Sequence, residues 1–131
     1  MTAALALQKA VYARLTGDTA LMALISGVYD IADRAASYPY ITIGADTVDA
    51  YLTKTTSGFN VLLRLDIWTT ALGRSPGKAI ENEVYRLLHR ASFAVTGFTL
   101  IDCQFDSSES SLENSDRLLR GTLRFRALIQ L

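Results

Sequence analysis

A chain of 131 residues, half of them hydrophobic and a fifth charged, has the length of one globular domain, and on size scaling it buries about two-thirds of its unfolded surface. Thirteen basic residues cancel thirteen acidic ones, which excludes a chain-wide attraction to nucleic acid or to an anionic membrane and leaves only local patches open. The single cysteine, Cys103, excludes an internal disulfide; this fits a reducing cytoplasm and equally a protein that needs no staple.

No basic segment precedes the apolar N-terminal stretch, and Gln8, Lys9 and Arg14 interrupt it far short of the roughly 18 apolar residues of a spanning helix, so a soluble protein is expected. Ala4, Leu7, Val11 and Leu15 recur at spacings of three and four between Thr2, a good N-cap, and Gly17, which predicts an amphipathic helix over residues 2–15. A second, buried helix is predicted from Asp18 as N-cap through Leu21, Met22, Leu24 and Ile25. Pro39 then forces an extended entry into a strand over Tyr40 to Asp46. The Thr-rich stretch from Asp46 to Gly58 reads as a long hairpin loop, and loops of that length carry a function more often than not. A strand over Phe59 to Thr70 follows. Ser75 as N-cap and Pro76 at the first helical position open a helix whose apolar face is Ile80, Val84, Leu87, Leu88 and Ala91. Two more strands, Phe98 to Asp106 with Thr99, Ile101, Cys103 and Phe105 on one row and Gly121 to Leu131 with Leu123, Phe125, Ala127, Ile129 and Leu131 on one row, flank the acidic, Ser-rich loop "SSESSLENSD".

The predicted order is helix, helix, strand, strand, helix, strand, strand. This argues an α+β domain over 1–131, with helices on one face of a mixed or antiparallel sheet of about four main strands. If the strand ending at Thr70 runs down, the helix from Pro76 runs back up over roughly 24 Å and the strand from Phe98 runs down again. The loops at 46–58 and 107–116 then lie at opposite ends of the sheet.

Candidate chemistry is sparse. In "ALGRSPGKA" Gly77 and Lys78 follow a strand and open a helix, as a phosphate-binding loop does, but Leu72 stands where the first glycine is required and Ala79 where the magnesium-binding hydroxyl belongs. A Ser-Pro helix start accounts for the segment. His89, alone near a helix end, suits a surface or capping role, and Cys103, on an apolar strand row, suits the core. Asp106, Glu109, Glu113 and Asp116 lack the glycine and ligand alternation of a calcium loop. No catalytic, cofactor or metal site is assigned.

In "VLLRLDIWT" the odd row Phe59, Val61, Leu63, Leu65, Ile67 is a core face by its period of two. The even row Leu62, Arg64, Asp66, Trp68 is neither polar enough for plain solvent nor apolar enough for a second core. With Arg120, Arg124 and Arg126 on the polar row of the last strand, it fits either a solvated face laced by cross-strand ion pairs or a protein contact core.

The ordered series "ALQKAVYARLTGDTALMALI", "VYD", "YPYITIG", "LRLDIWT", "LLH" and "LRGTLRFRALI" resembles the tail completion or tail terminator family of long-tailed phages and gene transfer agents, over nearly the whole chain. The resemblance implies a structural, non-enzymatic virion protein of the tail and neck, made in the bacterial cytoplasm. It implies a homo-oligomeric ring, six copies as a rule, on the end of the tail tube, where the ring stops polymerisation and presents a joining surface to the head-side connector. Partners are then the tube protein and the connector, with DNA passing through unread. On this reading Leu62, Arg64, Asp66, Trp68, Arg124 and Arg126 meet a neighbouring subunit, and the loop residues Val48, Tyr51, Leu52 and Lys54 contact tube or neighbour. Alternatives are another neck or tail component, such as a head-tail connector or tube subunit, or a small cytoplasmic ligand-binding protein or enzyme.

Overall fold

The computed structural model describes residues 2–30, 37–52, 57–70, 73–113 and 118–131, with only the backbone described at 45, 46, 51, 52 and 113. Helix α1 spans Ala3–Thr16, and the Thr2 hydroxyl accepts from the Leu5 N–H as its N-cap. Ala3, Ala6, Leu7, Val11 and Leu15 form its buried stripe. Helix α2, Thr19–Met22, is a single turn capped by the Asp18 carboxylate, shorter than expected; Leu21 is buried, while Leu24 is largely exposed beyond its end. Helix α3 spans Ser75–Leu88. Ser75 is its first helical residue and not its cap, and Arg74 holds the cap position without a side-chain hydrogen bond. The Ser-Pro pair still sits at a helix start, because a proline anywhere in the first turn lacks only an N–H that the helix leaves unused. The helix stops at Leu88, three residues short of Ala91. His89 turns extended there, and Arg90 takes the left-handed conformation at φ 54°.

Among the described residues, five strands, β1 Val28–Tyr29, β2 Tyr40–Leu52, β3 Ser57–Thr70, β4 Thr99–Glu113 and β5 Leu118–Gln130, form one sheet in the order β1-β2-β3-β5-β4. Among these strands the β1–β2 pairing is parallel and the other three are antiparallel, so the sheet is mixed. The short β1 has no counterpart in the sequence reading, since two residues carry no period. The described parts of both expected long loops are strand. Asp46 to Leu52 continues β2 along β3, with Val48 opposite Val61 and Ala50 opposite Phe59. Ser107 to Glu113 continues β4 along β5, with Leu112 opposite Leu119. Polar outward residues hid both extensions, yet an edge strand needs one apolar neighbour only, and Thr and Val suit the extended backbone. The links at 53–56 and 114–117 still fall at opposite ends of the sheet. At Gly58 an added Cβ would come within 2.5 Å of the Ile129 carbonyl oxygen, so the hairpin closes tightly onto β5 only because a glycine stands there.

The odd row of β3 is a core face as expected: Val61, Leu63, Leu65 and Ile67 are buried, and Leu123, Phe125, Ala127 and Ile129 face the same side from β5. Helices α1 and α3 cover this face with Leu7, Val11, Leu15, Ile80, Val84 and Leu88 in a single hydrophobic cluster. Arg14 joins the two helices, its Nε donating to the Leu87 carbonyl at 2.8 Å and its guanidinium lying 5.8 Å from the Phe93 ring. On β4 the expected row Thr99, Ile101, Cys103, Phe105 is broken by a bulge between Leu100 and Asp102. Leu100 packs against the core, Ile101 turns outward at 48% exposure and Cys103 is fully buried. Leu131 lies past β5 and is exposed.

Two measurements check this arrangement. Leu100→Ala should cost roughly 1–2 kcal/mol in urea unfolding and Ile101→Ala under about 0.5 kcal/mol, the reverse of what strict alternation gives. The Leu21 N–H bond, with Arg86 beside it, holds the Asp18 carboxyl below its usual value. Its contribution is present above the unfolded carboxylate range and lost as pH falls through the lowered folded value, so Asp18→Asn should lower stability at neutral pH and flatten that part of the acid limb.

The outer sheet face and its two edges

Opposite the helices, the registers of β2, β3, β5 and β4 stack the outer residues in cross-strand rows. Tyr40, Trp68, Arg120 and Ser111 form one, Thr42, Asp66, Thr122 and Glu109 the next, Gly44, Arg64, Arg124 and Ser107 the third, and Thr47, Leu62, Arg126 and Gln104 the fourth. The structure thus gathers Leu62, Arg64, Asp66, Trp68, Arg124 and Arg126 on one surface. All but Arg126 are half-buried within the subunit itself.

Asp66 is the hub. Its carboxylate accepts from the Thr122 hydroxyl at 2.7 Å and from Arg120 through Nε at 3.1 Å and a second guanidinium nitrogen at 3.3 Å, and it pairs with Arg64 at 3.3 Å. Its side chain is 13% exposed, so these donors replace most of its water. Trp68 is held from three sides: Nε1 donates to the Thr42 hydroxyl at 3.2 Å, Arg120 lies 5.1 Å over the ring, and Tyr40 stacks beside it. Tyr40 continues into Tyr38 and Tyr29, and burial pushes its phenol above its usual value. Arg64 and Arg124 stand directly opposite each other, a repulsive arrangement that is relieved because each turns to a carboxylate, Asp66 for the first and Glu109 at 3.2 Å for the second. Arg126 lies 3.7 Å from Asp106. Arg120, Thr122 and Glu109 thus complete a network that the sequence only hinted at; the signal lay in cross-strand register, which a linear sequence does not print.

Each sheet edge is half covered. At the β4 edge the segment after α3 docks on the strand: the Arg90 N–H donates to the Cys103 carbonyl at 2.6 Å, and the Phe105 N–H donates to His89 Nδ1 at 3.0 Å. His89 is therefore a helix-end residue that binds backbone, its ring stacked on Tyr85. At the β2 edge, β1 pairs at Ile41 and Thr42, and the Ile41 N–H donates to the Gly27 carbonyl. Among the described residues, nothing pairs with the outer side of β2 past Thr42. Val48 is 42% exposed there; Tyr51 and Leu52 are described in backbone only, and Lys54 lies outside the described residues.

Lys78 is engaged by Glu81 at 3.3 Å beside an open depression of 510 Å³ lined in part by Ser75, Asn82, Tyr85 and Phe105. Cys103 is buried, which with the charge of Asp102 pushes its thiol up to about 12. Among the described residues no cluster of His, Cys, Asp and Glu is arranged to hold a metal ion, and no helix is long and apolar enough to cross a membrane.

A family model described as tail completion protein gp17 matches residues 9–130. Among solved structures, a chain of the "Virion of native gene transfer agent (GTA) particle" is 27% identical, with a TM-score of 0.87 over 95% of both chains. The bacteriophage SPP1 gp17 protein is 22% identical, with a TM-score of 0.66 over 93% of this chain and 87% of that one, a likeness of fold. A comparison with curated protein sequences gives no match.

The network sets a ranking among its members. Asp66→Asn, which leaves Arg64 and Arg120 without their shared anion, should cost about 1–3 kcal/mol in urea unfolding. Glu109→Gln, on a side chain that is 66% exposed, should cost less than about 0.5 kcal/mol. Equal losses would place the hub elsewhere.

Proposed function

The chain belongs to the tail completion protein gp17 family, and on that premise we propose that it closes the end of a phage-type tail tube as a ring of its own copies. It is a structural component of the tail end of a phage or gene-transfer-agent particle, located in the tail and neck region of the virion. The ring, six copies as the family resemblance implies, stops tube growth and offers its far side to the head-side connector. The observation that carries this reading is the likeness, along 95% of the chain, to a protein of an assembled gene-transfer-agent virion. Residues 1–131 act as one unit, since helices and sheet share one hydrophobic cluster.

The work of such a protein is mechanical, and no catalytic step is assigned to it. His89 Nδ1 serves the Phe105 backbone and Cys103 serves the core, so the one histidine and the one cysteine have structural tasks. The outer face takes a revised role. Its tryptophan and carboxylate are satisfied within one subunit, which disfavours it as the flank that meets a neighbour. With the bulky helices turned outward, this face lines the bore. Its four arginines, Arg64, Arg120, Arg124 and Arg126, are paired with three carboxylates, Asp66, Glu109 and Asp106, which offsets most of their charge and suits a passage that lets DNA through without holding it.

Deleting the gene from cells that produce the particle should give heads without joined tails and tubes of uncontrolled length, both corrected by the parent protein and by His89→Gln. Tails of normal length that still join heads in its absence would end this reading.

A further inference from the structure

We infer that the ring closes by continuation of the β-sheet from copy to copy, with the Thr47–Leu52 half of β2 pairing antiparallel to the Ser107–Glu113 half of β4 in the next subunit. The inference rests on the ring proposed above and specifies its contact.

Three observations carry it. The first is which parts of the edges are closed. Gly27 to Tyr29 occupies β2 at Ile41 and Thr42, and His89 with Arg90 occupies β4 at Cys103 and Phe105. Each strand then carries a register shift, between Ala45 and Thr47 on β2 and between Phe105 and Ser107 on β4, and beyond it no described strand lies on the outer side. An edge of this length with no described strand beside it invites another chain to add to it.

The second is direction. Within one subunit β2 and β4 run oppositely, being separated by two further antiparallel strands. Copies related by rotation about a common axis therefore present β2 to β4 antiparallel, and repetition of that heterologous contact generates a closed ring.

The third is the apolar content of the two halves. Val48 lies opposite buried Val61 and Leu112 opposite buried Leu119, so both sit on the helix-bearing face, yet they are 42% and 47% exposed. A continuous sheet keeps its faces, so pairing brings these residues together on one side. In a single copy they are at different heights: Val48 is level with Val61, whereas Leu112 is level with Thr69, eight residues along β3 and about 27 Å away at about 3.4 Å per residue. Neighbours thus dock with a stagger along the strands. The strands then incline to the ring axis, as closing a sheet into a barrel requires.

The test uses Val48→Cys and Leu112→Cys, singly and together, treated with a short bifunctional thiol reagent on purified particles and on concentrated free protein. Buried Cys103, with its thiol raised to about 12, stays silent. The double variant should give a ladder of linked copies up to the closed ring, an equal mixture of the singles should stop at dimers, and neither single alone should link. Linkage of one single variant to itself would overturn the heterologous edge contact. Rings visible in the micrographs without any ladder would overturn the edge contact and leave the ring standing, while the absence of rings on the particles would remove the reading beneath it.

Discussion

The period-two alternation along β3 and β5, the two central strands, is the constraint on which the rest depends. One set of alternate residues, Val61, Leu63, Leu65, Ile67, Leu123, Phe125, Ala127 and Ile129, can leave water only if helices cover it, so α1 and α3 must lie on that side. The complementary set then has no helix available. It carries residues that can be satisfied within a bare sheet: Asp66 held by Thr122 and two arginines, and Trp68 held by Thr42, Arg120 and Tyr40. A shift of one residue in either strand would exchange the two sets, burying Arg64 and Arg124 in the hydrophobic cluster.

The same geometry explains which parts of the chain were legible. Alternation in β3 and β5 and the 3.6-residue period of α1 and α3 are strong because a fully buried face demands a residue at every turn of the pattern. The fold class, the order of the main elements and the opposite placement of the two connecting segments followed from those elements. The misread segments share a different property: Asp46–Leu52 and Ser107–Glu113 lie on edge strands, where one side of the backbone and much of the side-chain surface escape the core, so Thr, Asp, Ser and Glu are admitted and the period fades. Alternation puts Ile101 on one row with buried Cys103, because the bulge beside it leaves no mark in composition. At the site, the residue set of the outer face was readable, but its partners were not, since Asp66 meets Arg120 and Thr122 across more than fifty residues.

Edges that escape the core also shape function. A subunit for the end of a tube needs lateral contacts that repeat and close, while its passage must hold nothing. On the proposed reading, those demands separate onto different parts of one sheet. The centre pairs its arginines with carboxylates of the same face, whereas the edges keep exposed apolar residues, Val48 and Leu112, at heights where neither β1 nor His89 and Arg90 reaches. In the proposed ring the helices contribute by standing on one side, which fixes the sense in which the sheet can curve.

The central claim is that this chain ends a tube and does not build one. Labelling the protein on intact particles and mapping its position along the tail by electron microscopy tests that claim most directly. A single site per tail, at the end that meets the head, holding one ring of copies, is the predicted result. Label repeating along the length of the tail would make the chain a tube subunit and contradict the account.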